Sequence, residues 1–204
     1  MSKTENKNLV ILLHGVGASG ADLLPLSRSW GQILPNTAFA APDAPHPSNF
    51  GAGRQWFSVA GVTVENRPAR IADARVSFDA TLSAIIESHG FSERLERVAL
   101  VGFSQGTIMA LDAAVTGRWP LAAVVGFSGR LSSPPPFAPS KDTPVLLLHG
   151  EADPVIPATE TLAAAKALAA LGVAVETVLY PGLVHTISPQ GAAAAGAFLA
   201  ARLV

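Results

Sequence analysis

The chain has 204 residues, 49% hydrophobic and 14% charged, with 14 Lys and Arg against 15 Asp and Glu; a charged fraction so far below the roughly 25% of average domains excludes a disordered chain. A formal net charge of −1 leaves no basic surplus for phosphates, which argues against binding to nucleic acid or to an anionic membrane surface. Without cysteine there is no disulfide and no thiolate metal site, and a covalent catalyst must be Ser, Thr, Lys or a carboxylate.

In chain order, the polar opening MSKTENKN leads into a five-residue apolar run at 9–13, too short for a signal-peptide core or a membrane span. The expectation is a soluble, cytoplasmic protein with no stable membrane insertion. Further short runs rich in Val, Leu and Ala follow at 37–41, 97–101, 122–127, 145–149 and 173–179, and they end in Gly, Pro or Asp. Near-continuous apolar runs of this kind predict strands buried on both faces of a parallel sheet. Amphipathic or Ala-rich stretches at 22–34, 67–89, 105–116, 158–171 and 190–202 predict the helices between them.

The predicted fold class is therefore α/β: a mainly parallel sheet of about six strands flanked by helices, in a single domain spanning 1–204. One connection lacks a full helix, and a second long loop precedes the helix predicted at 67–89. The stretch 128–144 carries PPP and reads as a surface excursion, and the long loop at 41–67 interleaves glycines with Trp56 and Phe57.

Chemistry concentrates at strand ends. Gly102-Phe103-Ser104-Gln105-Gly106 is a G-x-S-x-G between a predicted strand and an apolar helix. Glycines on both sides permit a turn too tight for a Cβ and push the serine into a strained, outward-facing conformation. The helix behind it offers free N–H groups to developing negative charge. A serine nucleophile needs a histidine base and an acid to orient it, in the chain order Ser, Asp or Glu, His. Asp153 follows the fifth predicted strand in HGEADP, and His185 follows the sixth in YPGLVH, so all three sit on the carboxyl edge of the sheet where sites assemble. Glu151 is the rival acid. His14 and His149, each before a glycine at a strand end, read as structural groups that bond loop backbone, and neither His46 nor His89 is a candidate base.

An oxyanion hole requires two N–H donors. Gln105 supplies one by its position after Ser104, and Val16, in the glycine-rich run HGVGASG after the first strand, is the best candidate for the other. Taken alone, that run mimics a nucleotide loop, but it lacks a ribose-binding acid at the expected distance and the lysine of a P-loop. No H-E-x-x-H or comparable cluster suggests a metal, so neither metal nor cofactor is expected.

The blocks LLHGVGASGADLLPL, APDAP with GRQWFS, VGFSQG, HGEADPVIP and YPGLVHTIS resemble, in order and over nearly the whole chain, the phospholipase/carboxylesterase family of α/β-hydrolases, which includes acyl-protein thioesterases. The resemblance implies a serine esterase acting on carboxylic ester or thioester acyl groups, with a compact fold that can form a homodimer. It matches Ser104, Asp153 and His185 to the triad, Val16 and Gln105 to the oxyanion donors, and Trp56 to the block bordering the acyl pocket. Phe57, Leu23 and Leu183 are further candidate substrate-binding residues. Two positions depart from the family pattern: Thr107 replaces a glycine, which bears on how closely its helix packs, and Val184 replaces a glycine before the histidine. The early first strand leaves no room for the N-terminal antiparallel hairpin of many α/β-hydrolases.

The expected reaction is hydrolysis of carboxylic esters of small or medium acyl groups through an acyl-enzyme, with activity rising through about pH 6 to 7 as the histidine loses its proton. The partner is a small-molecule ester. The alternatives are an acyl thioesterase or lysophospholipase of the same fold, or a catalytically silent relative that only binds a ligand.

Overall fold

The computed structural model describes residues 7–203. The polar opening, read above as carrying no leader, lies largely outside them.

Strand β1 (Asn8–Leu13) is buried at every position, and its side chains alternate between two cores. A 3₁₀ turn at Gly20–Leu23 leads into α1 (Leu24–Trp30), then β2 (Thr37–Ala40), the two-residue strands β3 (His46–Pro47) and β4 (Arg54–Gln55), and α2 (Arg67–Ser88). The chain continues through β5 (Val98–Phe103), α3 (Gln105–Val115), β6 (Ala123–Phe127), β7 (Val145–Gly150), α4 (Ala158–Ala170), β8 (Val175–Tyr180) and α5 (Pro189–Ala200).

Six strands form one parallel sheet in the order β2-β1-β5-β6-β7-β8. Leu9, Ile11 and Leu13 face the core built with α2, α3 and α4, and Val10 and Leu12 face the one built with α1 and α5. This is the mainly parallel, helix-flanked sheet expected from the alternation of apolar runs and helices, and its α/β-hydrolase-like form is the one the family resemblance implies. The expectation that all six strands are buried on both faces fails at the margins: β2 is only half-buried, and β8 exposes Glu176 and Thr177. Each of these edge strands has a neighbour on one side only, and charge on an edge discourages pairing with another chain.

Two other local expectations change. The first predicted helix, 22–34, is a 3₁₀ turn followed by a shorter helix, because Pro25 suits a helix start and the packed Trp30 is followed by Gly31. The loop at 41–67 holds the antiparallel pair β3 and β4, which a two-residue strand is too short to signal by periodicity.

Helix α2 lays Ile71, Ala74, Phe78, Leu82 and Ile86 onto the sheet at helical spacing. It is tied to α3 by charge. Asp112, fully buried, accepts two hydrogen bonds from Arg75 (3.0 and 2.8 Å) and one from Arg118 (3.0 Å), and Arg118 also pairs with Asp79. Removing one guanidinium leaves a buried carboxylate under-compensated. Arg75→Met is therefore expected to lower unfolding stability by about 2 kcal/mol, short of the loss of a sole partner because Arg118 remains. Urea denaturation of the two proteins measures this.

Candidate active site

The turn from β5 into α3 is set by three residues without room for alternatives. Ser104 lies at φ 54°, ψ −115°, a region that side-chain-bearing residues seldom occupy and that stores strain. A Cβ on Gly102 would overlap the Thr107 amide, and one on Gly106 would overlap the Leu13 carbonyl, so α3 starts directly against the end of β1. Gly106→Ala is expected to destabilise the protein by roughly 3 kcal/mol or more, because the backbone it meets cannot rotate away as a side chain could. A fall in melting temperature, with loss of ester turnover, checks this.

Thr107 shows how the departure from glycine is accommodated. It is fully buried, its hydroxyl donates to the Phe127 carbonyl at 2.8 Å, and its methyl faces Gly126 and Gly129, where a Cβ would collide with it. The bulk is therefore taken up by missing side chains on the neighbouring strand and loop. The same Phe127 carbonyl accepts the Ser104 N–H at 2.9 Å, which fastens the turn to β6.

Asp153 and His185 reach Ser104 from the ends of β7 and β8. Gly150 has no side chain where Leu183 O passes, and Ala152 N–H donates to Leu183 O at 3.0 Å, so the two loops are stitched together. Val184, 52% exposed, leans outward. His185 Nε2 lies 2.9 Å from Ser104 Oγ, and His185 Nδ1 lies 2.7 Å from Asp153 Oδ2. The Phe103 ring packs on the imidazole, with centroids 4.9 Å apart. Ser104 is turned outward less than expected: the residue is only 7% exposed, because the glycine-rich loop and Phe103 crowd it.

Asp153 is buried, with Oδ1 accepting the N–H groups of Val155 (2.8 Å) and Ile156 (2.9 Å). Burial by itself pushes this carboxyl up. The hydrogen bond from His185, those from the Ile156 and Val155 amides and the His185 charge outweigh it, so the carboxyl is held below its ordinary value. Glu151, the rival acid, is exposed, and neither an ion pair nor a side-chain hydrogen bond joins it to His185.

The glycine-rich loop is held from outside. His14 Nε2 accepts the Ala44 N–H at 2.9 Å, which leaves Nδ1 to donate to Gly15 O at 2.7 Å. Gly20 N–H donates to Asp43, and Gly17 N–H to the Arg54 carbonyl, so β4 braces the loop. Asp22 accepts from the Ser19 amide and hydroxyl, which hold its carboxyl below the ordinary range. Within this frame the N–H groups of Val16 and Gln105 have no intramolecular hydrogen bond among the described residues. Gln105 also acts through its side chain, accepting the Trp56 N–H at 2.8 Å and donating to Phe57 O at 2.7 Å.

The four candidate substrate-binding residues separate. Leu23 lines a cavity of about 250 Å³ with His14, Gly15, Ala18, Phe103 and Ile187, beside the serine. Trp56 and Phe57 line a different recess of about 370 Å³ near His46 and Arg70. Most of the Trp56 indole is core: it is 1% exposed, stands edge-on to Phe78 and donates to His14 O. Leu183 borders a crevice with no open volume. Phe103 and Ile187 were missed as lining residues, although Phe103 is the first variable position of G-x-S-x-G and could have been read from it.

Among the described residues no helix is long and apolar enough to cross a membrane, and no group of three or more His, Cys, Asp or Glu could hold a metal ion.

Comparison with known proteins places the chain among esterases. A family model described as phospholipase/carboxylesterase matches residues 1–203. The chain is 34% identical over 186 residues to the esterase YpfH of Escherichia coli (strain K12), covering 89% of this chain and 77% of that one. It is 28% identical over 217 residues to acyl-protein thioesterase 1 of Gibberella zeae, covering 95% and 90%. The crystal structure of esterase PE8 superposes with a TM-score of 0.84 at 35% identity, covering 97% of this chain and 93% of that one.

Proposed function

Because the chain belongs to the phospholipase/carboxylesterase family of α/β-hydrolases and is a serine esterase, we propose that it hydrolyses carboxylic esters of small or medium acyl groups with Ser104, His185 and Asp153 as its triad. The observation carrying this reading is the unbroken relay from Ser104 Oγ to His185 Nε2 (2.9 Å) and from His185 Nδ1 to Asp153 Oδ2 (2.7 Å).

His185 takes the Ser104 proton as Oγ attacks the ester carbonyl carbon. The carbonyl oxygen becomes an oxyanion that the Val16 and Gln105 N–H groups receive, with the amino end of α3 behind them. Collapse of the tetrahedral intermediate breaks the bond to the leaving oxygen, which takes the proton from His185. Water, deprotonated by His185, then attacks the acyl-enzyme and releases the acid, restoring the serine hydroxyl. Asp153 keeps the Nδ1 proton pointed away from Ser104 throughout.

The cavity beside Ser104 supports a small or medium acyl group. Its volume of about 250 Å³ is below the 300–1,000 Å³ of typical drug-sized sites, and its walls combine the apolar Leu23, Phe103 and Ile187 with the polar His14, Asp22 and Thr186. In a nitrophenyl ester series, kcat/KM is expected to peak at short to medium chains and to fall by roughly tenfold for a dodecanoyl ester, about 1.4 kcal/mol of binding forgone. A maximum at the longest chain would refute the assignment of that cavity. Similarity to an acyl-protein thioesterase over 95% of the chain favours a thioesterase as the second reading, and an acyl thioester in the same series decides between them.

A further inference from the structure

The carboxylate of Asp153 is shared by two imidazoles. His149, at the end of β7 and 1% exposed, places Nε2 at 3.1 Å from Asp153 Oδ2, the same oxygen that His185 Nδ1 approaches at 2.7 Å. Its Nε2 also lies 2.8 Å from the Ile156 carbonyl, and its Nδ1 lies 2.7 Å from the Thr161 hydroxyl in α4. Both partners of Nε2 are oxygens that only accept. A bare Nε2 would set a lone pair against them, so the proton resides on Nε2 and donates. Thr161 satisfies Nδ1 with its single hydroxyl proton, directed along the 2.7 Å contact in preference to the Gly129 carbonyl at 3.3 Å.

The consequence concerns the direction in which Asp153 points. Oδ1 is fixed by two backbone amides, while Oδ2 faces His185 from one loop and His149 from the strand end. The carboxylate therefore accepts three undivided hydrogen bonds and a share of a fourth, because the single His149 Nε2–H is divided between Oδ2 at 3.1 Å and the Ile156 carbonyl at 2.8 Å, and it has little freedom to rotate about its Cβ–Cγ bond. Without His149, Oδ2 would be held by His185 alone, and the acid could swing with the base it is meant to orient. We propose that His149 is a positioning residue of the active site: its Nε2–H, set by Thr161, locks the Asp153 carboxylate in the plane that holds His185 toward Ser104. This inference rests on the reading of Ser104, Asp153 and His185 as a triad. It departs from the expectation that His149 serves only loop backbone, since one of its three partners is the acid itself.

The test is a set of variants assayed on a small nitrophenyl ester. His149→Leu is expected to lower kcat about tenfold with KM unchanged, the size of a modest misorientation of reacting groups. His149→Gln, whose amide N–H can still donate to Oδ2 while its oxygen accepts from Thr161, is expected to keep kcat within about twofold of the parent. In an Asp153→Asn background the leucine substitution should cause no further loss, because the carboxylate it acts through is gone. A kcat for His149→Leu equal to the parent, an equal loss in the Leu and Gln variants, or the same tenfold loss on top of Asp153→Asn would each overturn the proposal. Should His149→Leu not fold, Thr161→Val carries the test: kcat is expected to fall on the order of threefold at constant KM, and an unchanged kcat overturns the idea. Labelling by a fluorophosphonate separates the two levels. A parent protein that does not label at Ser104 removes the triad reading and this one with it, whereas labelling at Ser104 with unchanged His149 variants removes this one alone.

Discussion

Ser104→Ala is expected to lower kcat on a small nitrophenyl ester by roughly 10⁴- to 10⁶-fold while leaving the folded structure intact. The loss is this large because the covalent route disappears: among the described residues no other hydroxyl lies within hydrogen-bonding distance of His185 Nε2, and the remaining catalysis comes from binding and the N–H groups of Val16 and Gln105 alone. Folding is spared because the Ser104 N–H bond to Phe127 O is made by backbone, and alanine keeps the Cβ that packs near Gly15. The strain at φ 54° also remains, so the melting temperature should change little. Steady-state kinetics, circular dichroism melts and loss of fluorophosphonate labelling check the three parts together. Turnover retained within tenfold would remove Ser104 as the nucleophile.

Asp153→Asn is expected to reduce kcat by about 10⁴-fold, and the hydrogen bonds show why an isosteric change is so damaging. Oδ1 accepts two backbone N–H groups that cannot turn away, so the new amide must put its oxygen there and its NH₂ where Oδ2 was. That NH₂ meets His185 Nδ1, which must then be unprotonated to accept. The proton is forced onto Nε2, pointing at Ser104 Oγ, and the base is lost.

The same substitution carries a pH signature. The Asp153 carboxyl is held below its ordinary value in the folded protein, so its ionised form adds stability that is complete above the unfolded value near 3.9 and is lost as pH falls through the lower folded value. Melting temperatures of the parent should therefore drop below about pH 4, and Asp153→Asn should lack that share of the drop. Asp22 and Glu65, also held low by hydrogen bonds, act in the same direction and contribute to the part that persists. Identical acid limbs in the two proteins would count against the hydrogen-bonded, ionised Asp153.

The ends of strands were legible because Gly or Pro follows each apolar run within two residues, and the chemistry-bearing residues cluster at those stops. Ser104, Asp153 and His185 could be chosen from order and context, since a parallel sheet delivers every strand's carboxyl end to one rim. The edge strands were not identified as edges: Glu176 and Thr177 interrupt the apolar run of β8, but only the strand order reveals that it has one partner. The surroundings of Trp56 were not legible, because an aromatic in a glycine-rich loop looks the same in sequence whether it faces a ligand or, as most of this indole does, Phe78 and His14.

His149 marks the division most sharply. Its neighbourhood, four residues before Asp153, was visible in HGEAD, yet nothing in the spacing tells whether an imidazole at a strand end turns to backbone or to the acid. By itself the sequence determined the α/β class and pointed to the proposed nucleophile turn, acid and base, because these follow from local periodicity, glycine placement and chain order. The tertiary structure decided which cavity adjoins Ser104, how Thr107 finds space against Gly126 and Gly129, and that two imidazoles share one carboxylate oxygen. Those are contacts between segments distant along the chain, and their distances and directions are set by packing that no local pattern encodes.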